Sequence, residues 1–125
     1  MKPILIDSDV LIEVSRQRDE PILHRWFALS DASDSILCSP VTVAEIWYGG
    51  RPSEQSVLEA LFRAILCVPI GYEIGHRAGQ YLARFSKSHS LELGDALIAA
   101  TASIHGAALW TRNRKHYPMK GISFY

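Results

Sequence analysis

The sequence predicts an α/β fold in which a mostly parallel sheet is covered by helices on both faces. Short apolar segments alternate along the chain with longer segments whose apolar residues recur at helical spacing. Because parallel strands need long crossover connections, this alternation favours strand-helix-strand units over hairpins. The hydrophobic content of 48% and the charged content of 21% are those of an ordinary globular protein, so residues 1–125 are expected to form a single domain.

The first half of the chain is predicted to contain two strands and three helices. Asp7, Ser8 and Asp9 offer oxygen atoms that can cap the helix after the first strand. Ser39 and Pro40 begin the third helix, since serine caps and proline is tolerated in the first turn. The predicted elements are a strand at Pro3–Ile6, helices at Val10–Arg16 and Pro21–Leu29, a polar stretch at Ser30–Ser35 that closes the second helix, a strand at Ile36–Cys38 and a helix from Pro40 to Gly49-Gly50.

The second half continues the alternation. Its clearest helical pattern is the amphipathic segment Val57–Leu66, and Gly106 is placed to end the last helix as a permissive C-terminal glycine. The other predicted elements are a strand at Cys67–Ile70, a helix at Tyr72–Ser86, a loop at Lys87–Leu93, a helix from Gly94-Asp95 to Ile104, and strands at Ala107–Trp110 and Ile122–Phe124.

Charge and hydropathy exclude several classes of protein. Thirteen basic residues balance thirteen acidic ones, so any binding to nucleic acid depends on a local patch and not on a global positive field. No apolar stretch approaches the roughly 20 residues of a membrane span, and no signal peptide is recognised, so a cytoplasmic protein without membrane contact is expected. Cys38 and Cys67 lack metal-ligand spacing and are predicted to be buried reduced thiols.

Three acidic residues occupy positions where apolar residues are expected. Asp7 follows an apolar strand, Glu45 lies within the apolar helix Val41–Trp47, and Asp95 precedes the run Ala96–Ala100. All three are predicted to be partly buried. Burial of a lone carboxylate is costly unless it is paired, protonated or bound to a metal. Because basic residues are scarce in these segments, the pattern favours one shared cation.

The position of these acids indicates which cation. Ligands bind beyond the carboxyl ends of parallel strands, where Asp7 is predicted to lie, and Asp95 opens a helix that can face the same crevice. Hard oxygen ligands select Mg²⁺, with Mn²⁺ as a substitute, and the chemistry that follows is phosphoryl transfer. Three alternatives stay open: Asp7 caps a helix, Asp95 complements a helix dipole, and Glu45 reaches solvent at a helix edge.

Four segments in series carry a resemblance to a known family. They are Ile4-Leu5-Ile6-Asp7-Ser8-Asp9-Val10-Leu11-Ile12, then Val43-Ala44-Glu45-Ile46 with Tyr48-Gly49, then Asp95-Ala96-Leu97-Ile98-Ala99-Ala100-Thr101-Ala102, and then Thr111-Arg112-Asn113. In this order and spacing they resemble the PIN domain family, and within it the VapC toxins of bacterial and archaeal toxin-antitoxin pairs.

The resemblance implies an α/β/α sandwich, endonucleolytic cutting of structured RNA such as transfer or ribosomal RNA, arrest of translation, a homodimer and a VapB-like antitoxin as partner. By position, Asp7, Glu45 and Asp95 are the implied metal and catalytic acids, with Asn113 as a fourth catalytic residue. Ser8 and Thr111 are implied as lesser contributors. Many relatives carry an acid at the position of Asn113. Because asparagine adds no charge, one resident Mg²⁺ is expected, and a second ion would need the substrate phosphate as a ligand.

Three other functions are weighed against this nuclease. The segment Ile4–Val10 also resembles the opening motif of haloacid-dehalogenase-type phosphatases, but Thr111 follows Asp95, which is the wrong order for that family. A metal-independent ribonuclease would need paired histidines, and the five histidines show no such spacing. A noncatalytic RNA-binding or antitoxin-binding module is the third alternative.

A basic loop flanks Asn113. It contains Arg112, Arg114, Lys115 and His116. These side chains are suited to hold RNA phosphates, and a solvated loop without a binding role is an equal alternative.

Overall fold

A computed structural model describes residues 2–31 and 35–125. In these ranges five strands form one sheet: β1 (Ile4–Ile6), β2 (Ile36–Cys38), β3 (Leu66–Cys67), β4 (Ala108–Trp110) and β5 (Ser123–Phe124). Their order across the sheet is β3-β2-β1-β4-β5, and each pairing is parallel. The predicted α/β class with a parallel sheet is confirmed, and β1 occupies its centre.

Helices connect these strands. They are α1 (Ser8–Arg16), α2 (Glu20–Asp31), α3 (Pro40–Gly49), α4 (Gln55–Arg63), α5 (Tyr72–His89) and α6 (Leu93–His105), with short 3₁₀ turns at Pro52–Glu54 and Arg114–His116. The predicted ends have physical causes. The Ser39 side chain accepts a hydrogen bond from the Val41 N–H, with Pro40 in the first turn of α3. Gly106 ends α6 in the left-handed conformation, with a φ of 61°.

Some predicted boundaries are wrong. The helix predicted at Val57–Leu66 ends at Arg63, because Leu66 leaves it to pair with Leu37 of β2. Helix α5 extends past the predicted Ser86 to His89, where Ser90 takes a left-handed φ of 53°. The polar stretch Ser30–Ser35 is predicted to end α2, and the helix continues to Asp31 within it. Residues 32–34 lie outside the described residues.

The two cysteines differ in burial. Cys38 is buried and Cys67 is exposed, so the prediction of two buried thiols is wrong for Cys67. The two are partners in the register of β2 and β3, and both are free thiols. The difference arises because β3 is an edge strand whose two residues are exposed, whereas β2 is buried throughout.

The core has two clusters, one on each face of the sheet. Ile4 and Ile6 of β1 join one cluster with residues of α1 and α2, and Leu5 joins the other with residues of α5 and α6. Neighbouring residues of one strand thus point to opposite helical layers, which is why β1 is apolar throughout. No described helix is both long enough and apolar enough to cross a bilayer.

Candidate active site

An acidic cavity opens at the sheet edge where β1 and β4 end. Asp7 directly follows β1 and Thr111 directly follows β4, while Glu45 comes from α3 and Asp95 from the first turn of α6. The cavity has a volume of about 230 Å³ and is lined by Asp7, Ser8, Asp9, Glu45, Glu92, Asp95, Asn113 and His116. The structure therefore brings all four predicted site residues, Asp7, Glu45, Asp95 and Asn113, to one cavity.

Asp7 is buried and firmly held. Its Oδ1 accepts the Ser8 backbone N–H at 2.8 Å, so it also caps α1, as one alternative predicted. Its Oδ2 accepts the hydroxyls of Thr111 at 3.0 Å and Tyr117 at 2.8 Å. These three hydrogen bonds fix the orientation of the carboxylate.

Glu45 is exposed, so its predicted partial burial is wrong and the helix-edge alternative is correct. Its carboxylate nevertheless faces the cavity, where Oε1 accepts the Ser8 hydroxyl at 3.1 Å. The pKa of Glu45 is raised, chiefly by desolvation of the carboxyl group and further by the charges of Asp7, Asp95 and Glu92, while the Ser8 hydrogen bond opposes the shift. The carboxylates therefore repel one another across the cavity.

Asp95 is half-buried at the start of α6. Desolvation is the largest cause of its raised pKa, and the negative charges of Asp7 and Glu92 add to the shift. The imidazole of His116 opposes it, with Nδ1 at 3.7 Å from Oδ2 of Asp95. Asp95 thus has a histidine neighbour from the 3₁₀ turn after β4, a contact that the sequence did not predict.

Asp9 is a further acid of this site that sequence reasoning missed. Its Oδ2 accepts the Arg112 backbone N–H at 3.1 Å and the Asn113 amide N–H at 2.9 Å. Its Oδ1 is buried without a hydrogen-bond partner in the described residues. Burial raises the pKa of Asp9 to about 6, and the charge of Asp7 adds to that shift. Its place two residues after Asp7 was the available signal.

Asn113 is oriented by this contact. Because its Nδ2 donates to Asp9, the amide carbonyl oxygen is directed away from that carboxylate. Glu92, also missed, lines the cavity from the residue before α6, three positions ahead of Asp95. The site therefore has five carboxylates and one neutral amide, where the sequence predicted three carboxylates and the amide.

The guanidinium groups of Arg112 and Arg114, in the basic loop, contact residues outside the cavity. Arg112 lies 3.4 Å from Glu13, and Arg114 donates to the Tyr125 carbonyl at 3.3 Å and stacks over Phe124. Of the four basic residues in this loop, His116 is the one that lines the cavity. No lysine or arginine is among the described residues that line it.

The donor set fits a hard divalent cation. Its carboxylates are crowded enough to raise one another's pKa, and a buried oxygen of Asp9 lacks a partner. In the ranges 2–31 and 35–125, no three His, Cys, Asp or Glu side chains are already grouped as metal ligands. The cavity thus supplies the chemistry of the ligands but not a closed coordination shell. Mg²⁺ usually retains several waters and takes one or two carboxylates directly, so it suits such a set.

The comparison with protein families decides the assignment. Residues 4–121 match the model of the PIN domain. The chain belongs to the PIN domain family. This PIN domain is 35% identical over 117 residues to Ribonuclease VapC10 of Mycobacterium tuberculosis, covering 93% of this chain and 86% of that protein. It is 34% identical over 113 residues to Ribonuclease VapC19 of the same organism, covering 89% and 90% of the two chains. It is thus a member of the VapC ribonucleases, and the predicted resemblance is confirmed.

Solved structures support the same fold. The PIN domain superposes on a chain of DNA-bound VapBC from Salmonella typhimurium with a TM-score of 0.84 and 20% identity, covering 100% of this chain and 98% of that one. A chain of VapBC2 from Rickettsia felis, bound to a promoter DNA fragment, gives a TM-score of 0.82 at 17% identity, covering 98% and 96%. At these identities the likeness establishes the fold, and it agrees with the predicted α/β/α sandwich. Membership of this family favours the nuclease over the phosphatase alternative.

Proposed function

We propose that this PIN domain is a Mg²⁺-dependent endoribonuclease and the toxin of a VapBC-type pair, which cuts structured RNA such as transfer or ribosomal RNA and thereby arrests translation. The observation that carries the proposal is the cavity at the end of β1, where Asp7, Glu45 and Asp95 meet without a lysine or arginine among the lining residues. The names of the VapC10 and VapC19 relatives support RNA as the substrate.

In this proposal Asp7, Glu45 and Asp95 hold Mg²⁺, or Mn²⁺ in its place. When bound, the ion supplies a Lewis acid for the phosphate and lowers the pKa of a bound water. Asp7 is already oriented by three hydrogen bonds, and exposed Glu45 has room to turn toward the ion. Asn113 contributes an oriented dipole for a water or a phosphate oxygen but no charge.

The proposed partners follow from the same comparisons. The solved neighbours are VapBC complexes, which supports a VapB-like antitoxin as the partner of this chain. A homodimer, a cytoplasmic location and action of residues 1–125 as one nuclease domain complete the proposal. Large apolar side chains are available on the surface for such contacts, including Tyr48 at 94% exposed and Phe27 at 57% exposed.

The test compares induced expression of the wild type and of Asp95→Asn, with RNA ends mapped in the cells. The same two proteins are then purified, and RNA ends are mapped after cleavage at varied Mg²⁺. We expect new ends from the wild type only when Mg²⁺ is present, and a loss of about 10²-fold or more in Asp95→Asn. Glu59→Gln, an exposed acid on α4, is the matched control and should behave as the wild type.

Equal growth arrest by the wild type and Asp95→Asn, or the absence of new RNA ends, would contradict the proposal. RNA or antitoxin binding that survives Asp7→Asn, with no cleavage by any version, would instead support the noncatalytic module.

A further inference from the structure

We propose that Tyr117 is a positioning residue that, with Thr111, fixes Asp7 so that Oδ1 is the oxygen presented to the metal. The inference rests on the proposed metal site. Tyr117 comes from near the end of the chain to hydrogen-bond Asp7, and the inference gives its hydroxyl a role in metal binding beyond the packing of its ring.

The hydrogen bonds of Asp7 leave one acceptor position of its carboxylate unused. Oδ2 accepts two hydroxyl groups, from Tyr117 at 2.8 Å and Thr111 at 3.0 Å, which uses both of its lone pairs. Oδ1 accepts only the Ser8 backbone N–H, at 2.8 Å. One lone pair therefore stays available on Oδ1, and this is the oxygen of Asp7 that would hold the metal.

The Thr111 hydroxyl has a fixed hydrogen-bond direction. It accepts the Asn113 backbone N–H at 3.1 Å, so its own hydrogen is left to donate to Asp7. The more distant Oδ2 of Asp9, at 3.5 Å, is the weaker acceptor for that hydrogen.

Tyr117 is the donor in its hydrogen bond with Asp7. It is 4% exposed, and its hydroxyl lies 2.8 Å from Oδ2 of Asp7. A carboxylate oxygen accepts and a phenol O–H donates, so the direction of this bond is set by the two groups.

Packing alone does not require this hydroxyl. The Tyr117 ring belongs to the core cluster beneath α5 and α6, and a phenylalanine ring fills the same space. A buried hydroxyl is costly unless it is hydrogen-bonded, so what tyrosine adds over phenylalanine is the bond to Asp7. Partners that orient metal ligands in this way typically contribute 10- to 100-fold to metal affinity.

The experiment measures Mn²⁺ binding by electron paramagnetic resonance in the full-length wild type, Tyr117→Phe and Tyr81→Phe. Tyr81 is the matched control, because its ring packs against the same core cluster and its hydroxyl makes no hydrogen bond in the described part of the chain. We expect Tyr117→Phe to bind Mn²⁺ about 10- to 100-fold more weakly and Tyr81→Phe to match the wild type. Thermal melts of the metal-free proteins establish that each variant is folded.

A second pair of variants keeps the test independent of Tyr117 itself. Thr111→Val should lower Mn²⁺ affinity in the same direction, and Thr111→Ser, which retains the hydroxyl, should restore it. If the wild type binds Mn²⁺ and the affinity of Tyr117→Phe is within about twofold of the wild-type affinity, the positioning role is overturned and the metal site is not. Wild type that binds no Mn²⁺ overturns the proposed metal site and this inference with it.

Discussion

The two sides of the acidic cavity hold their carboxylates in different ways. On the sheet side, Asp7 and Asp9 follow the central strand, and their oxygens accept hydrogen bonds from the segment after β4. On the helix side, Glu45 has one hydrogen bond, to Ser8, and Asp95 has a histidine at 3.7 Å. The sheet side is preorganised, and the helix side retains freedom to adjust.

This difference suits a cation that demands regular geometry but keeps much of its water. A fixed ligand defines where the ion sits, and adjustable ligands complete its shell without strain.

The largest expected effect separates the buried, oriented Asp7 from the exposed Glu45 by cleavage rate. Asp7→Asn should lower RNA cleavage by about 10²- to 10³-fold, because it removes the charge that is already oriented. Glu45→Gln should cost only about 10-fold, since an exposed, mobile carboxylate can be replaced by water in the shell. Single-turnover cleavage at saturating Mg²⁺ measures both, with Glu59→Gln as the control. Equal losses in the two variants would show that the sides do not differ in function.

A smaller effect concerns stability. Mg²⁺ at about 100 times its dissociation constant should stabilise the fold by about 2.7 kcal/mol, measured as a shift of the thermal midpoint. Hydrogen exchange should slow more in α3 and the start of α6 than in β1, because the helix side has more freedom to lose. Asp7→Asn should abolish the shift. A midpoint that Mg²⁺ leaves unchanged in the wild type, or protection confined to β1, would contradict this picture.

The smallest effect is a pH dependence of the metal-free protein. The pKa of Asp9 is about 6 in the fold against its ordinary value of 3.8, so between these values the folded state binds more protons than the unfolded state. Stability should therefore fall as pH rises through this window. The loss is on the order of 1 kcal/mol, because partial exposure reduces the effect of the shift.

Denaturant unfolding measures this slope, and Asp9→Asn should reduce it, while the raised pKa values of Glu45 and Asp95 maintain the rest. The ion pair of Glu54 with Arg16 acts in the opposite direction below pH 4.5, because the pKa of Glu54 is lowered to about 2, so the slope is measured between pH 4.5 and 6. A wild-type slope of the opposite sign would show that burial does not penalise the Asp9 charge.

The parts predicted from sequence are those with a local cause. Alternation of apolar segments predicts a parallel sheet, and carboxylates set in such segments are conspicuous, which is how Asp7, Glu45 and Asp95 were found. Tyr117 carries no such signal. It contacts Asp7 across 110 positions of sequence, and only the pairing of β1 with β4 brings the two together.

The burial of a side chain was harder to predict from the sequence than the face of the helix or strand on which it lies. An apolar neighbourhood indicated a buried Glu45 and a buried Cys67, and both are exposed. Glu45 lies where α3 reaches solvent at the rim of the cavity, and Cys67 lies on the edge strand. Periodicity identifies the face of an element, whereas its depth depends on which other elements cover it.

The pairing of β1 with β4 also sets the order in which the site is completed. The hydroxyl groups that hold Asp7 are 104 and 110 residues away from it in sequence. A growing chain on the ribosome therefore carries its first acid long before it carries the groups that orient it. Until residue 117 has been made and β4 has paired with β1, the carboxylate of Asp7 lacks the two hydroxyl groups that hold it, so the order of synthesis itself delays completion of the site.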